Sequence, residues 1–146
     1  MSIARLGAHQ LSSAAVLYAD GSGPQWSFLE RLFHQPHARS WVFCRSEIIA
    51  CAWFSVIETE AELIDIRVLS HHQGTGIGHR LLTKALEELG SERISTIYLE
   101  VRESNVAAQK LYTRLGFLPE GRRAAYYPTI EGREDAVLMR KTIEAS

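Results

Sequence analysis

Gln73-Gly74-Thr75-Gly76-Ile77-Gly78 lies between a strand-like segment and a helix-like segment. The preceding stretch, Glu62 to Val68, is rich in Ile, Leu and Val, as expected of a long strand. The apolar residues that follow recur at helical spacing: Leu81, Leu82, Ala85, Leu86 and Leu89. Glycines at alternate positions leave successive backbone N–H groups unobstructed beside the positive end of a helix dipole. The segment therefore predicts a strand, a loop and a helix, with a loop that can bind a phosphate or pyrophosphate.

The spacing of these glycines excludes two common nucleotide-binding loops. A dinucleotide fingerprint requires a third glycine where this chain has His79, and a Walker loop requires lysine where it has Arg80. A glycine-rich turn that only joins a strand to a helix remains an alternative for this segment taken alone.

The segments that follow the loop extend the same pattern. We predict that the helix ends at Gly90, with this glycine in the C′ position. Ile94 to Val101 alternates apolar and polar residues and forms the next strand. A strand, a crossover helix and a second strand predict a parallel pair. Ser104 or Asn105 then caps a further helix, which Gly116 closes.

The rest of the chain predicts the remainder of a sheet and two more helices. In chain order the predicted elements are a strand at Ser2 to Leu6, helices at Leu11 to Tyr18 and Phe28 to Phe33, a hairpin of Trp41 to Cys44 with Ile48 to Ile57, and a last hairpin of Arg122 to Tyr127 with Ala136 to Ile143. We therefore predict a single α/β (α+β) domain over residues 1–146. Its sheet is mixed but mostly antiparallel, with six or seven strands, a central parallel pair and about four flanking helices.

Composition and charge narrow the class of protein. The 146 residues are 46% apolar and 23% charged, with a formal net charge of -1. These values fit a globular domain without a bulk attraction to nucleic acid or to an anionic membrane. The longest apolar stretch, Ile48 to Ile57, is half as long as a bilayer span, and Met1 to Gln10 lacks the apolar region of a signal peptide. We expect no nucleic-acid partner, no membrane association and a cytoplasmic location.

The cysteines and histidines do not predict a metal site. Cys44 and Cys51 are too few for a disulfide scaffold and lack the spacing of metal ligands. The histidine pairs come without a carboxylate at metal-binding spacing on a predicted helix: His34-x-x-His37 and His71-His72. We therefore expect no metal.

The glycine loop and the segments after it resemble one enzyme family. Gln73-x-x-Gly76-x-Gly78 after a strand is similar to the acetyl-coenzyme A loop of the GNAT N-acetyltransferases. The downstream run resembles the family's other cofactor motifs: Leu99-Glu100-Val101-Arg102, Ser104-Asn105, Ala107-Ala108, Leu111-Tyr112 and Leu115-Gly116-Phe117. The tail is similar to the RimI-type branch, the ribosomal-protein-alanine N-acetyltransferases: Tyr126-Tyr127-Pro128-Thr129, Gly132, Glu134-Asp135-Ala136 and Met139. The resemblance implies a GNAT-type domain that uses acetyl-coenzyme A.

The resemblance also implies roles for individual residues. It assigns the pyrophosphate to the backbone N–H groups from Gly74 to His79, and places Asn105 beside the pantetheine or ribose end of the cofactor. It makes Glu100 the general base and Tyr112 the general acid. The residues implied to contact the cofactor are Ile66, Val68, Gln73, Gly74, Thr75, Gly76, Ile77, Gly78, His79, Asn105 and Tyr112.

Elementary chemistry is consistent with these roles. An amine that attacks a thioester requires a proton acceptor, a group that stabilises the oxyanion and a proton donor for the leaving thiolate. Glu100 can accept the proton, directly or through water, an N–H group near Val68 can stabilise the oxyanion, and the Tyr112 phenol can protonate sulfur. The alternatives are a surface ion pair of Glu100 with Arg102 and a packing role for Tyr112.

The acceptor predicted by the resemblance is the N-terminal α-amine of a protein, such as a ribosomal protein. The chain departs from the RimI-type pattern on the acceptor side, at Pro24-Gln25-Trp26-Ser27, at Val68-Leu69-Ser70 and at Ala124-Ala125. A lysine or a small-molecule amine therefore remains an alternative acceptor. A non-catalytic module that binds acetyl-coenzyme A is an alternative of a different class.

Overall fold

A seven-stranded mixed sheet runs through the computed structural model, which describes residues 2–143. Both ends of the predicted domain, Met1 and residues 144–146, lie outside the described residues. The strands are β1 (Ser2–Arg5), β2 (Ala38–Arg45), β3 (Glu47–Ile57), β4 (Glu60–Val68), β5 (Thr96–Arg102), β6 (Leu118–Thr129) and β7 (Gly132–Thr142). Their order in the sheet is β1-β2-β3-β4-β5-β7-β6, and β4 with β5 is the parallel pair. The predicted mostly antiparallel sheet with a central parallel pair is confirmed.

Four α-helices flank this sheet, as predicted. They are α1 (Leu11–Ala15), α2 (Trp26–Phe33), α3 (Ile77–Ser91) and α4 (Val106–Arg114). Three single 3-10 turns accompany them, at Ala8–Gln10, Val16–Tyr18 and Ser70–His72. Among residues 2–143, none of the helices combines the length and apolar character that crossing a bilayer demands.

The predicted end of the third helix at Gly90 is wrong. Helix α3 continues to Ser91, and the residue with left-handed backbone is Arg93 at φ 69°. The N–H of Ile94 donates to the Leu89 carbonyl at 3.1 Å, which closes the helix in a Schellman arrangement with arginine at C′. A Cβ at Gly90 would stand 3.2 Å from Ile143 Cγ2, so close packing explains this glycine better than helix termination.

The end of the fourth helix follows the prediction. Asn105 is the N-cap, because its Oδ1 accepts a hydrogen bond from the Ala108 N–H at 3.1 Å. Gly116 has left-handed backbone at φ 95°, and the Phe117 N–H donates to the Tyr112 carbonyl at 3.0 Å. These contacts determine where α4 begins and where it ends.

The predicted hairpins are present, with longer strands than the sequence indicated. Ser46, at φ 59°, turns the first hairpin, and the strand after it is buried along most of its length. In the last hairpin the predicted loop from Thr129 to Asp135 is shorter, because β6 and β7 pair as far as Thr129 and Gly132. The apolar pattern underestimates these strands because their ends are exposed and carry polar residues.

The two faces of the sheet each support an apolar cluster. Helix α3 packs on one face through Leu81, Leu82 and Leu89, in the larger cluster that also contains Tyr112. On the other face, α1 and α2 pack on Val42 and Trp53 in a second cluster. This double coverage explains why β3 is apolar on both faces.

A β-bulge in β4 determines which side chains face which cluster. Trp53 of β3 is paired with Asp65, and Phe54 is paired with Leu63, so Ile64 is an extra residue in β4. Ile66 therefore packs toward the α3 cluster, whereas Asp65 lies on the face covered by α1 and α2. Bulges of this kind commonly redirect side chains next to active sites.

The parallel strands separate after a short contact. The registered pairs between β4 and β5 join Glu60–Glu62 to Thr96–Tyr98, although β4 continues to Val68 and β5 to Arg102. A cavity opens between the diverging segments, lined by residues 63–68 of β4 and residues 99–102 of β5.

Candidate active site

The cavity between the separated strands has a volume of about 1000 Å³ and joins the glycine loop, α4 and the two strands. It brings together nearly all the residues singled out by the sequence: Ile66, Val68, Gln73, Gly74, Gly76, Ile77, Gly78, His79, Glu100, Asn105 and Tyr112. Thr75 is the exception, and its hydroxyl donates to the His72 carbonyl at 2.6 Å within the loop. Residues from four different elements therefore meet at one site.

The glycine loop exposes its backbone to this cavity. Gly74 and Gly76 have left-handed backbone, at φ 76° and φ 84°, and a Cβ at either position would meet no protein atom within 4 Å. Gly76 is also the N-cap of α3, so the first N–H groups of the helix have no partner within it. A left-handed turn that leads into a helix N-terminus fits an anionic group such as a pyrophosphate.

Side chains on both sides hold the loop in place. The Gln73 side-chain amide donates to the Val68 carbonyl at 3.0 Å, which ties the loop to the end of β4. A Cβ at Gly78 would stand 3.4 Å from Leu111 Cδ2 and 3.8 Å from Ile66 and Val68. Gly78 thus lets the start of α3 approach β4 and α4 closely.

Tyr112 projects into the cavity from α4. The residue is only 7% exposed, and its ring makes an edge contact with Phe117 at a centroid distance of 5.9 Å. Burial raises the pKa of the Tyr112 phenol above its ordinary value, and the charges of Asp65 and Tyr127 raise this pKa further. The phenol therefore keeps its proton at neutral pH, as a proton donor must.

Glu100 reaches the cavity from β5, on the face opposite the buried Leu99 and Val101. Its Oε1 forms an ion pair with the Arg123 Nε at 2.9 Å. Arg102, considered as a partner for Glu100 from the sequence, instead pairs with Glu134 at 3.5 Å. The surface ion pair between Glu100 and Arg102 is therefore not formed, and the β6–β7 ribbon supplies the cation beside Glu100.

The sequence reasoning missed a second carboxylate in this cavity, that of Asp65. Asp65 Oδ2 accepts a hydrogen bond from the Tyr18 hydroxyl at 2.6 Å, and the Tyr18 oxygen accepts one from the Trp53 indole N–H at 2.9 Å. Burial raises the pKa of Asp65 from 3.8 to about 6, while the Tyr18 hydrogen bond and the Arg67 charge oppose that rise. The available signal was an acidic residue between two isoleucines, Ile64 and Ile66, in the middle of a strand.

Arg67 connects β4 to the loop before α2. Its guanidinium donates to the Ser22 hydroxyl at 2.8 Å and the Ser22 carbonyl at 2.9 Å, and forms an ion pair with Asp20 at 3.4 Å. Arg67 therefore holds residues 20–22 against β4, and the neighbouring Gly23 and Pro24 line the cavity. Pro24 is the first residue of the segment that departs from the RimI-type pattern.

The fold and the arrangement of this site define a family. The sequence profile of the acetyltransferase (GNAT) family matches residues 7–117, and the chain belongs to that family. Among proteins of known function, the chain is similar to the [ribosomal protein bS18]-alanine N-acetyltransferase of Escherichia coli (strain K12), with 43% identity over 93 residues. That match covers 64% of this chain and 63% of the relative, so the chain spans less than two thirds of the curated relatives it first matches.

Two further similarities cover more of the chain. The putative [ribosomal protein bS18]-alanine N-acetyltransferase of Bacillus subtilis (strain 168) is 32% identical over 119 residues, which are 80% of this chain and 77% of that protein. The crystal structure of the ribosomal-protein-S18-alanine N-acetyltransferase from Escherichia coli superposes with a TM-score of 0.91 at 31% identity, covering 99% of this chain and 95% of that one. The whole described fold is therefore shared with that structure.

Proposed function

We propose that this protein transfers the acetyl group of acetyl-coenzyme A to the N-terminal α-amine of a protein. The observation that carries the proposal is that the glycine loop, Tyr112 and Glu100 open onto one cavity between the separated strands. A cofactor held on the α3 side of the sheet and an acceptor on the α1 and α2 side would meet in that gap.

The residues present fit acetyl-coenzyme A, which would supply an activated thioester when bound. The open backbone from Gly74 to His79 would hold the pyrophosphate. Ile66 and Val68 supply apolar contact along β4, and Asn105 at the start of α4 lines the same groove. The narrow packing at Gly78 supports an extended cofactor chain running between β4 and α4.

Two side chains would move protons. Glu100 accepts the proton of the acceptor amine, directly or through water, because its carboxylate faces the cavity beside Arg123. Tyr112 protonates the leaving thiolate, because its phenol is protonated and lines the same cavity. An N–H group near Val68 stabilises the oxyanion at the end of β4.

We assign the class of acceptor from the names of the similar proteins and from the free energy needed to deprotonate the amine. The similar Escherichia coli and Bacillus subtilis proteins are named for alanine acetylation of ribosomal protein bS18. An α-amine has a pKa near 8, whereas deprotonating a lysine with a pKa near 10.4 costs about 4 kcal/mol at neutral pH. A carboxylate base therefore suits an α-amine. A ribosomal-protein acceptor would place the enzyme in the cytoplasm.

A peptide panel with mass spectrometry tests this function. The panel contains a peptide that begins with alanine, the same peptide blocked at its α-amine but carrying a free lysine, and a small polyamine. We expect acetyl transfer to the first peptide, with the label on its α-nitrogen. Equal acetylation of the blocked peptide would contradict the α-amine assignment. Tight binding of acetyl-coenzyme A without transfer to any amine would instead support a non-catalytic module.

A further inference from the structure

The acceptor end of the cavity contains a carboxylate to which the proposed reaction assigns no role. Asp65 lines the cavity from β4, on the same face of the sheet as Glu100. Trp53 is fully buried and Tyr18 is 5% exposed, so the chain of hydrogen bonds from Trp53 through Tyr18 to Asp65 is shielded from water. Such a shielded chain holds the carboxylate in one orientation.

The second oxygen of this carboxylate is uncommitted. Oδ2 accepts from Tyr18, whereas Oδ1 accepts no hydrogen bond from any group within residues 2–143. A Cβ at Gly23 would clash with Arg67 Nη2 and stand 3.9 Å from Oδ1, so the guanidinium lies on the loop side of this carboxylate, where it donates to Ser22. An ionised carboxylate can accept several hydrogen bonds, and this one therefore retains capacity for a donor within the cavity.

The charge of Arg67 lowers the pKa of the Asp65 carboxyl, but no group within residues 2–143 forms an ion pair with it. Tyr18 faces Asp65 from the turn after α1, Tyr112 from α4 and Cys51 from β3. Burial raises the pKa of each of these three groups, and the negative charge of Asp65 raises it further. Arg67 on the same strand is directed at the 20–23 loop and at the Leu17 carbonyl. Glu100, by contrast, has an arginine at 2.9 Å. The negative charge of Asp65 is thus less compensated by a neighbouring cation than the charge of Glu100.

We propose that Asp65 binds the protonated amine of the acceptor, with Tyr18 as the positioning residue that orients it. The substrate class recognised at this site is then an ammonium group, bound between β4 and β5 before Glu100 removes its proton. An ammonium in a largely enclosed site requires a fixed counter-charge, and the free Oδ1 of Asp65 provides one. The inference rests on the proposed acetyl transfer and adds the recognition step to it.

A pair of peptides that differ only in the terminal charge tests this role. One peptide begins with alanine, and in the other lactate replaces this alanine, so that a hydroxyl stands where the ammonium was. Both are titrated calorimetrically into the enzyme saturated with coenzyme A. We expect wild type to prefer the ammonium peptide by about tenfold or more, because charge-assisted hydrogen bonds are the stronger ones.

Three variants separate recognition from folding. Asp65→Asn keeps an oxygen for the Tyr18 hydroxyl but removes the charge, and we expect its preference to fall to about twofold or less, with unchanged affinity for acetyl-coenzyme A. Tyr18→Phe keeps the ring and loosens the carboxylate, so its preference should be intermediate. Glu60→Gln changes an exposed carboxylate at the start of the same strand and should retain the wild-type preference.

The wild-type enzyme supplies an independent measurement. The preference should weaken as pH falls from 7.5 to 5, because protonation of Asp65 removes the counter-charge around its pKa of about 6. A preference that stays constant over this range, or that persists in Asp65→Asn, would overturn the inference while leaving the peptide acetylation itself intact. Conversely, a charge preference without transfer of acetyl to any amine would support Asp65 as an ammonium site and contradict the proposed function.

Discussion

Glu100 and Tyr112 reach the same cavity from opposite faces of the sheet. Glu100 projects away from the α3 cluster, whereas Tyr112 belongs to that cluster. The gap between β4 and β5 is what opens one cavity to both side chains. In the proposed reaction this arrangement brings a proton acceptor and a proton donor to one site, as an acyl transfer requires.

Replacement of Glu100 tests its role as proton acceptor. Glu100→Gln keeps the size of the side chain but removes its basicity, so kcat/KM should fall most below pH 8, where the α-amine is largely protonated. We expect a loss on the order of 10²-fold at pH 7 and a much smaller loss at pH 9. The measurement is a pH profile of thiol release with an alanine-initiated peptide.

The control for this profile is Glu103→Gln, which removes a half-exposed carboxylate paired with Arg122. It should leave the pH profile unchanged. A Glu100→Gln defect of equal size at every pH would instead assign Glu100 to the ion pair with Arg123 and to packing.

Replacement of Tyr112 tests the proton donor. Tyr112→Phe retains the edge contact with Phe117 and deletes the hydroxyl, so kcat should fall by about 10²-fold with little change in the affinity for acetyl-coenzyme A. Tyr98→Phe is the matched control, because Tyr98 is a half-buried tyrosine of β5 that contacts Arg140. Wild-type turnover by Tyr112→Phe would leave the phenol with a packing role only.

At the scale of elements, the glycine loop determines how α3 begins. The loop is tied to β4 through Gln73 and packed on α4 through Gly78. Between these two points the backbone is left-handed at Gly74 and Gly76, and both glycines line the cavity. The proposed anion site is therefore built by the strand, loop and helix together.

A pair of glycine substitutions isolates the anion site from backbone strain. Gly76→Val places a side chain at φ 84° on a residue that lines the cavity, and Gly21→Val places the same side chain at φ 77° in the loop before α2, on a residue that does not line it; neither Cβ would meet protein within 4 Å. Both variants should lose roughly 1–2 kcal/mol of stability from the left-handed backbone. Only Gly76→Val should also weaken acetyl-coenzyme A binding by at least about tenfold, measured by calorimetry. Equal affinities in the two folded variants would exclude the loop from the site.

At the scale of the whole molecule, the hydrogen bonds from Trp53 to Asp65 join the smaller apolar cluster to the cavity. They also place a carboxylate where burial disfavours its charged form. An acidic group whose pKa is raised on folding destabilises the native state once the unfolded chain has lost that proton. The proposed ammonium site at Asp65 therefore lowers the stability of the native state.

The stability of Asp65→Asn relative to wild type should depend on pH. Near pH 4 and below, Asp65 is protonated and uncharged in the folded protein, so its burial does not lower the free energy of unfolding through a buried charge. As pH rises from about 4 to about 6 the unfolded carboxyl is ionised while the folded one still holds its proton, so the wild type loses stability that the variant keeps; the loss is complete above the folded pKa of about 6. We expect the variant to gain on the order of 2 kcal/mol between pH 4 and pH 7, measured as the difference in Tm at each pH. A difference in Tm that does not vary with pH would contradict the raised pKa.

Local sequence patterns predict much of the fold of this protein. The spacing of Gly74, Gly76 and Gly78 predicts the anion loop, and the alternation of apolar and polar residues in β5 directs Glu100 away from the core. Helix and strand types follow from the same periodicities, because each depends on residues that are close in sequence. The fold class was therefore accessible from the sequence alone, and the assignment of the glycine loop to the cofactor stays a prediction.

Long-range contacts decided the rest. Tyr18 and Asp65 are 47 residues apart, and the extra residue at Ile64 turns Asp65 toward Tyr18, a change of face that no alternating pattern indicates. Arg123 reaches Glu100 only because β7 pairs with both β5 and β6, which leaves β6 one strand away from β5. Gly90 packs against the distant Ile143 and does not end its own helix. Periodicity reports which face of an element is apolar, but the partner of a polar side chain is set by how elements pack, and that information resides in the tertiary structure.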